Sequence, residues 1–543
     1  MEKKLKIKWN IECTYLLIII VASLIPRLLL LLNAHSYSSD GVSYLSTALY
    51  LREPSLVGEV PKRIYFILFP SLVLLFDIVI HNPAMSGRII SFLVGMAIPP
   101  LVFFLGKRIF GRYPSFIGAL FCGINPILVW QSAEIRGDNL FAFLTIFSIL
   151  IFEKSNWTKP RIQDAVYLAV IMGLAQLTRT NGVMYLLVII PLWLRKIRKQ
   201  EIPAGSWVLR TLIPFLIVFA VVSSIPHLLL VVRGEERPSM FVYTYLDGNI
   251  ASLGDRENIF FRLNADASEY QFLEDVADAD FRTVIETLPQ LPQKYFHNLN
   301  YCFTLFFGPA IEIMLKLSIL LIPLLFYILY YGGEMKAPAG ALRLLFWFWP
   351  SFFILPAINV EDLYFLPFVP LLMLFMAWLI VTVSSLGWIS RWRIFVLLIL
   401  IHIIAVPMFQ QTSREIKEEA AYKNPYVQAG EWIERNTPES TLIMARNPEI
   451  FFHALRRGFR MPSEDLNRTL IFALNRNIEY MIFGPMEMNK REDLFWEAYN
   501  EVYRLGVKSR LSVAKTIETD TDIVYVLKIV PENFKVRALP KIE

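Results

Sequence analysis

Twelve long apolar runs constrain the fold more than any other feature of this sequence. They lie at about residues 14–32, 63–80, 86–105, 113–132, 139–153, 164–179, 183–194, 207–231, 312–331, 342–358, 363–386 and 393–410. Most are long enough for a helix that crosses a membrane. The composition agrees, because 55% of the 543 residues are hydrophobic and only 18% are charged. The sequence therefore predicts a polytopic α-helical membrane protein and excludes a soluble globular one.

The positions of the basic residues predict the topology. The net charge of +6 comes from short clusters beside the apolar runs, which favours a topological role and no nucleic-acid partner. Four lysines before the first run place the N-terminus in the cytoplasm. If all twelve runs crossed, three basic clusters would lie outside, so we interpret residues 63–80 as an interfacial helix. About eleven crossings result, and the C-terminus lies outside.

Two polar regions interrupt or follow the apolar runs. Residues 233–300 form a large outer loop. Residues 411–543 alternate helix-like stretches (426–436, 464–475, 493–505) with strand-like ones (441–445, 480–483, 523–529), which predicts an extracytoplasmic α/β domain. The predicted organisation is thus a transmembrane core with the first and second outer loops (1–232), the large loop (233–300), C-terminal transmembrane helices (301–410) and the α/β domain (411–543).

In this topology, charged and polar residues converge on the outer face. They occupy the first outer loop, the interfacial helix, the start of the next span and three later loops: Asp40, Tyr44, Lys62, Arg63, Arg88, Glu134, Arg136, Asp138, Asn139, Arg179, Glu361 and Asp362. Charged groups beside membrane spans are costly and are commonly functional. Cations suit a phosphate, and a carboxylate can accept a proton from an attacking hydroxyl. The pattern indicates an acid/base step on an anionic lipid.

Each of these residues also has a simpler interpretation. Asp40 lies in Ser-Ser-Asp-Gly, which is good turn chemistry. Glu134, Arg136 and Asp138 could form a solvated loop with a local ion pair. The basic residues could anchor helix ends at lipid headgroups. A transporter or flippase of a polyprenyl-linked or other anionic lipid is the alternative function, although transporters commonly show internal repeats, and none is visible here.

Several segments resemble motifs of the C-type glycosyltransferase superfamily, nearest to its protein mannosyltransferase and lipid A aminoarabinose transferase group. Ser39-Asp40-Gly41 through Tyr44 and Glu134 to Asn139 are similar to the two acidic motifs of the superfamily. Further similarity lies at Ser86-Gly87-Arg88, at Gly173 to Arg179 and at Leu363 to Pro370. The peptide-binding motif typical of oligosaccharyltransferases is absent from residues 411–543, which favours transfer of a single sugar.

The resemblance implies a bundle that admits a polyprenyl phosphate sugar and an acceptor protein, lipid or glycan on the outer or lumenal side. Asp40 is then the general base of an inverting transfer, with Glu134 and Asp138 also in the catalytic group. Lys62, Arg63, Arg88 and Arg179 bind the carrier phosphate. Tyr44, Arg136, Asn139, Glu361 and Asp362 contact the acceptor or sugar. A shared Mg²⁺ or Mn²⁺ is left open, and no cofactor is required.

Overall fold

The computed structural model of the chain describes most of the N-terminal half and nearly all of the C-terminal region. The described residues are 11–34, 37–53, 64, 66–197, 203–233, 263, 266–267, 295–296, 344, 347, 365–385, 387–520 and 522–534. They divide into two compact units. The first comprises the described residues of Met1–Ala34, Lys62–Glu236 and Thr283–Ala420. The second comprises those of His35–Pro61, Arg237–Arg282 and Ala421–Glu543.

The first unit is a bundle of apolar helices. Its helices are α1 (Ile11–Asn33), α3 (Leu68–Ile80), α4 (Pro83–Ile109), α5 (Arg112–Ile124), α6 (Pro126–Trp130), α7 (Asp138–Lys154), α8 (Ile162–Gln176), α9 (Leu186–Ile197), α10 (Ala204–Trp207), α11 (Ile213–Ser223), α12 (Ile225–Val232), α13 (Phe368–Val383) and α14 (Arg393–Ala421). Helix α2 (Ser39–Arg52) belongs to the second unit. Close packing rests on small residues where helices cross. Leu374 of α13, for example, lies against Gly106 of α4 and Gly118 of α5.

Four described helices are long and apolar enough to cross a membrane. They lie in the ranges Ile11–Asn33, Pro83–Ile109, Gly205–Ser223 and Ser390–Asn436, the last of which contains α14, and four shorter apolar helices accompany them. Many of their large apolar side chains are exposed, such as Leu32 at 67% and Ile394 at 75%. Water would not tolerate so much exposed apolar surface, whereas lipid does. The chain is an integral membrane protein. The predicted runs at 312–331 and 342–358 lie almost wholly outside the described residues.

The predicted run at 113–132 does not form one helix. Helix α5 ends at Ile124, and α6 starts at Pro126, because proline cannot donate the hydrogen bond that would continue the helix. The Asn125 side chain caps α6 by accepting a hydrogen bond from the amide of Leu128 at 3.2 Å. The run at 207–231 is interrupted only at Ser224, before α12 with Pro226 in its first turn, whereas a π-helical turn at Val208–Leu212 joins α10 to α11 without a break.

Helix α14 continues beyond the predicted end of the last apolar run at residue 410. Residues 411–421 are polar but rich in strong helix formers, so the helix extends to Ala421. Two contacts between residues four apart support this extension: Gln411 with Glu415 at 2.9 Å, and Arg414 with Glu418 at 3.6 Å. The fall in hydropathy at residue 410 therefore marks the end of the apolar surface and not the end of the helix, which is at Ala421.

The second unit contains a five-stranded C-terminal sheet. Its elements are α2 (Ser39–Arg52), α15 (Pro425–Asn436), β1 (Leu442–Ala445), α16 (Glu449–His453), β2 (Gly458–Arg460), α17 (Leu466–Asn475), β3 (Ile478–Phe483), α18 (Pro485–Lys490), α19 (Glu492–Leu505), β4 (Leu511–Glu518) and β5 (Ile523–Ile529). The strand order is β2-β1-β3-β5-β4. Strands β2, β1 and β3 are parallel, whereas β5 pairs antiparallel with β3 and β4. The predicted strand-like stretches correspond to β1, β3 and β5.

Side chains that alternate along the strands form two separate apolar cores, one on each face of the sheet. Met444 and Met481 point to one face, where they pack with residues of α17 and α19. Ile443 and Ile482 point to the other face, where they pack with residues of α15 and α16. A sheet covered on both faces requires apolar residues at successive strand positions. This requirement explains the unbroken apolar sequence of β1 and the last four residues of β3.

Candidate functional site

A stripe of small residues on α4 brings the segment 132–139 close to this helix. Gly87, Ser91 and Gly95 are spaced four residues apart and therefore lie on one face. A Cβ atom added at Gly87 would lie 2.6 Å from Cγ2 of Ile135. The hydroxyl of Ser91 donates to the carbonyl of Arg136 at 3.4 Å. Larger side chains at these positions would push away the loop that precedes α7.

Asp138, the first residue of α7, lies between two arginines. Its Oδ2 atom accepts a hydrogen bond from Nε of Arg136 at 3.1 Å, and its Oδ1 atom forms an ion pair with Nη2 of Arg179. Asp138 is 1% exposed and Arg179 is 3% exposed. Removal of one member of such a buried pair leaves an uncompensated charge. The three residues thus form a charged cluster inside the bundle. The predicted local ion pair of Arg136 and Asp138 is present, whereas the burial of Asp138 contradicts its interpretation as part of a solvated loop.

Arg179 owes its position to an irregular turn after α8. The helix ends at Gln176, and Arg179 adopts an extended conformation before a short 3-10 helix at Thr180–Tyr185. The Gln176 side chain accepts a hydrogen bond from the amide of Val183 at 2.6 Å, which closes this turn. The guanidinium group of Arg179 contacts Asp138 at the start of α7.

A second buried arginine joins the site, and the sequence analysis missed it. Arg27 of α1 donates from Nε to Oγ of Ser132 at 3.1 Å. The same Oγ atom accepts a hydrogen bond from Nδ2 of Asn139 at 3.2 Å, so a polar chain connects Arg27 with the residue next to Asp138. An arginine inside an apolar run is itself a signal of a functional or structural site. The sequence contained that signal, because Arg27 lies within the first apolar run at residues 14–32.

Arg27 also satisfies the backbone at the break between α5 and α6. Its Nη1 atom donates to the carbonyl of Gly123 at 2.5 Å, and its Nη2 atom donates to the carbonyl of Cys122 at 3.3 Å. Thr412 of α14 donates to the next carbonyl, that of Ile124, at 3.2 Å. A helix end within an apolar environment needs such partners, because lipid offers none.

The remaining described candidates lie in different surroundings. Arg88 on α4 is half-buried and donates from Nη1 to the carbonyl of Ala34 at 2.6 Å. Glu134 is half-buried in the loop before α7. Asp40 lies in the first turn of α2, which is capped by the Ser38 hydroxyl, and Tyr44 is fully buried on the same helix. The structure assigns Asp40 and Tyr44 to the second unit and Asp138 to the first.

Four predicted site residues lie outside the described part of the chain: Lys62, Arg63, Glu361 and Asp362. Among the described residues, no three His, Cys, Asp or Glu side chains lie close enough together to hold a metal ion. Both Asp138 oxygens already contact a guanidinium group. This carboxylate would have to release an arginine to coordinate Mg²⁺ or Mn²⁺.

Part of the bundle is similar to a known family, and the fold is similar to solved structures. Residues 67–225 match the family model of dolichyl-phosphate-mannose-protein mannosyltransferases. The oligosaccharyltransferase AglB from Archaeoglobus fulgidus, solved with an inhibitory peptide and a dolichol-phosphate, is 13% identical with a TM-score of 0.58 over 88% of this chain and 69% of its own. ArnT from Cupriavidus metallidurans, solved with undecaprenyl phosphate, is 12% identical with a TM-score of 0.57 over 97% of this chain and 99% of its own.

This chain has the C-type glycosyltransferase fold. The predicted resemblance to that superfamily, nearest to its protein mannosyltransferase and lipid A aminoarabinose transferase group, is confirmed. The family match includes α4, α7 and the turn after α8, and therefore Arg88, Asp138 and Arg179, whereas Asp40 precedes it. No curated protein matches the sequence significantly.

Proposed function

We propose that this protein transfers a single sugar from a polyprenyl phosphate carrier, dolichyl or undecaprenyl, to a hydroxyl acceptor on the outer or lumenal side. The observation that supports this function best is the buried Asp138 carboxylate between Arg136 and Arg179, within the segment that matches the mannosyltransferase family. AglB and ArnT were solved with dolichol-phosphate and undecaprenyl phosphate, respectively. We therefore propose a polyprenyl phosphate as the carrier for this protein, which has the same fold.

The charges around Asp138 favour an anionic group. Four arginines (Arg27, Arg88, Arg136, Arg179) and two carboxylates (Glu134, Asp138) lie on segments that meet near the start of α7, which leaves two net positive charges. A guanidinium group can bind a phosphate through two hydrogen bonds. In this proposal Asp138 orients the two arginines that contact it. Arg179, with Arg88 and with Lys62 or Arg63, stabilises the phosphate as it leaves.

Asp40 is the proposed general base. It accepts the proton of the acceptor hydroxyl while the hydroxyl oxygen attacks the anomeric carbon of the sugar. The bond between that carbon and the phosphate oxygen breaks, and the phosphate leaves with the electron pair. One displacement inverts the anomeric configuration, as in inverting glycosidases that use a single base on the attacking side. Glu134 assists catalysis by orienting the reactants.

The residues that contact the acceptor or sugar and the side of the membrane on which transfer takes place are also part of the proposal. Tyr44, Arg136, Asn139, Glu361 and Asp362 are the proposed contacts of the acceptor or sugar. In this proposal the chain crosses the membrane about eleven times, with the N-terminus in the cytoplasm and the C-terminal sheet outside it. The acceptor can be a protein, a lipid or a glycan, since each offers a hydroxyl.

The test is sugar transfer from a radiolabelled polyprenyl phosphate sugar by the full chain in detergent, with a membrane extract as the acceptor source. Asp40→Asn should abolish turnover but keep carrier binding, whereas Arg179→Gln should weaken carrier binding. Asp164→Asn is a matched control, because Asp164 also lies in the first turn of a helix, α8. Unchanged turnover of Asp40→Asn would exclude Asp40 as the base. Movement of the carrier across vesicles without product would indicate the alternative, a flippase.

A further inference from the structure

The segment that precedes α2 makes close contacts with the C-terminal part of the same unit. The amide of Tyr37 donates to Oε1 of Glu449 at 2.6 Å. The ring of Tyr37 stacks on the ring of His453, with ring centroids 4.6 Å apart and planes at 4°. Glu449 and His453 lie at the two ends of α16. Residue 37 is therefore held by both its backbone and its side chain, three positions before Asp40.

Glu449 is itself held firmly. It is 3% exposed, and its carboxylate accepts hydrogen bonds from Nδ2 of Asn424 at 3.0 and 3.1 Å and from Nδ2 of Asn447 at 3.4 Å. Nε2 of His453 lies 3.5 Å from its Oε1. The amide of Glu449 donates to Oδ1 of Asn447 at 3.1 Å. A buried carboxylate with this many donors has one favoured orientation.

We infer that Glu449 is a positioning residue for Asp40, an inference that rests on the proposed role of Asp40 as the base. Glu449 holds Tyr37, and the next residue, Ser38, caps α2 by accepting a hydrogen bond from the amide of Gly41 at 3.1 Å. These contacts set where the helix starts and therefore where its first-turn carboxylate points. A base displaced by about 1 Å can lose roughly a hundredfold in rate.

The unit also contains a buried carboxylate that has no described contact with residues 37–44. Glu501 of α19 is 9% exposed and accepts hydrogen bonds from Arg510 at 2.9 and 3.0 Å. Its replacement should destabilise the same unit without releasing Tyr37. Glu501→Gln is thus a matched control, which separates loss of position from general loss of stability.

The experiment compares Glu449→Ala, Glu449→Gln and Glu501→Gln in the full chain. Steady-state transfer gives kcat and KM for the carrier, and amide hydrogen exchange follows residues 37–44. For Glu449→Ala we expect kcat to fall at least about tenfold with an unchanged KM, and exchange of this segment to rise about tenfold, since a buried acceptor is lost. Glu449→Gln keeps one acceptor oxygen and should be intermediate. Glu501→Gln should alter neither measurement.

A double substitution sharpens the test. If Glu449 acts through Tyr37, Tyr37→Ala combined with Glu449→Ala should lower kcat no further than the more severe single variant. Unchanged exchange at residues 37–44 in Glu449→Ala would overturn the inference, and so would faster exchange with full kcat. Hydrogen exchange does not depend on turnover, so the effect of Glu449→Ala on residues 37–44 can also be measured in the Asp40→Asn background. If Asp40 is not the base, Asp40→Asn keeps its turnover while Glu449→Ala still speeds exchange. If the contact of Glu449 with Tyr37 does not hold the segment, exchange stays unchanged.

Discussion

Arg27 shows how one side chain can stabilise an irregular backbone inside a membrane bundle. It is 1% exposed and donates to Ser132 and to carbonyls at the end of α5. The planar guanidinium group offers five donors in fixed directions, whereas a lysine ammonium offers three on a flexible stem. The acceptors are too widely spread for a lysine to serve them all.

We therefore predict that Arg27→Lys lowers the free energy of unfolding by about 2–4 kcal/mol, because several buried acceptors lose their partners. Thermal unfolding in detergent provides the measurement. Arg210→Lys is the control, since Arg210 is exposed in the π-helical turn and should tolerate the exchange. Equal melting temperatures for parent and Arg27→Lys would contradict this account of the break.

The ion pair of Asp138 and Arg179 leads to a second prediction at this scale. Asp138→Asn should destabilise the fold by about 3 kcal/mol, because two arginines lose their shared counter-charge. Arg179→Met in the same chain should recover part of that loss, since one unpaired cation is removed. The measurement is a double-mutant cycle on unfolding. Strictly additive effects would argue against the pairing.

At the scale of elements, the stripe on α4 makes one helix face sensitive to added volume. A Cβ atom at Gly95 would lie 2.8 Å from Cβ of Ser132 and 3.2 Å from Nδ2 of Asn139. We predict that Gly95→Ala costs about 1–3 kcal/mol of unfolding free energy through overpacking. Gly205→Ala has open space around the added atom and should be neutral or slightly stabilising. The measurement is the melting temperature of both variants compared with the parent, which should fall for Gly95→Ala and not for Gly205→Ala.

The junction of α19 and β4 carries a pH-dependent contact. Hydrogen bonds from Arg510 lower the pKa of Glu501 below its ordinary value. A carboxylate with a lowered folded pKa contributes stability that is present above its unfolded pKa, near about 4.3, and is lost as the pH falls through the folded value. We predict a loss of about 1 kcal/mol from this contact below that range. In Glu501→Gln the corresponding pH dependence of unfolding should be absent.

Elements with strong local signals were predictable from the sequence, and contacts between distant segments were not. The apolar periodicity of α1 and α4 and the patterns of α15, β3 and β5 depend on nearby residues. Strand β4, in which only two of eight residues are buried, carries a weaker signal and was missed. The contacts of Glu449 with Tyr37 and of Arg27 with Gly123 join residues far apart in the chain. No local pattern contains that information.

At the scale of the whole molecule, the predicted topology gives a direct test. In a cysteine-free background, Glu439→Cys in the C-terminal part should react with a membrane-impermeant maleimide added outside intact cells. Lys154→Cys, at the end of α7, should react only after permeabilisation. Both positions are exposed, so differences in labelling reflect the side of the membrane. The reverse pattern would invert the topology and place the proposed chemistry on the cytoplasmic side.

The hydrogen bonds of Arg27 have a consequence for biogenesis. Its acceptor at Gly123 lies 96 residues later in the chain, so the ribosome delivers α1 to the membrane well before that carbonyl exists. Until then, α1 carries an unpaired cation whose insertion costs about 2.5–3.5 kcal/mol, a cost that the many apolar residues of this helix offset. Arg27 therefore gains its partners only when the later helix α5 packs against α1.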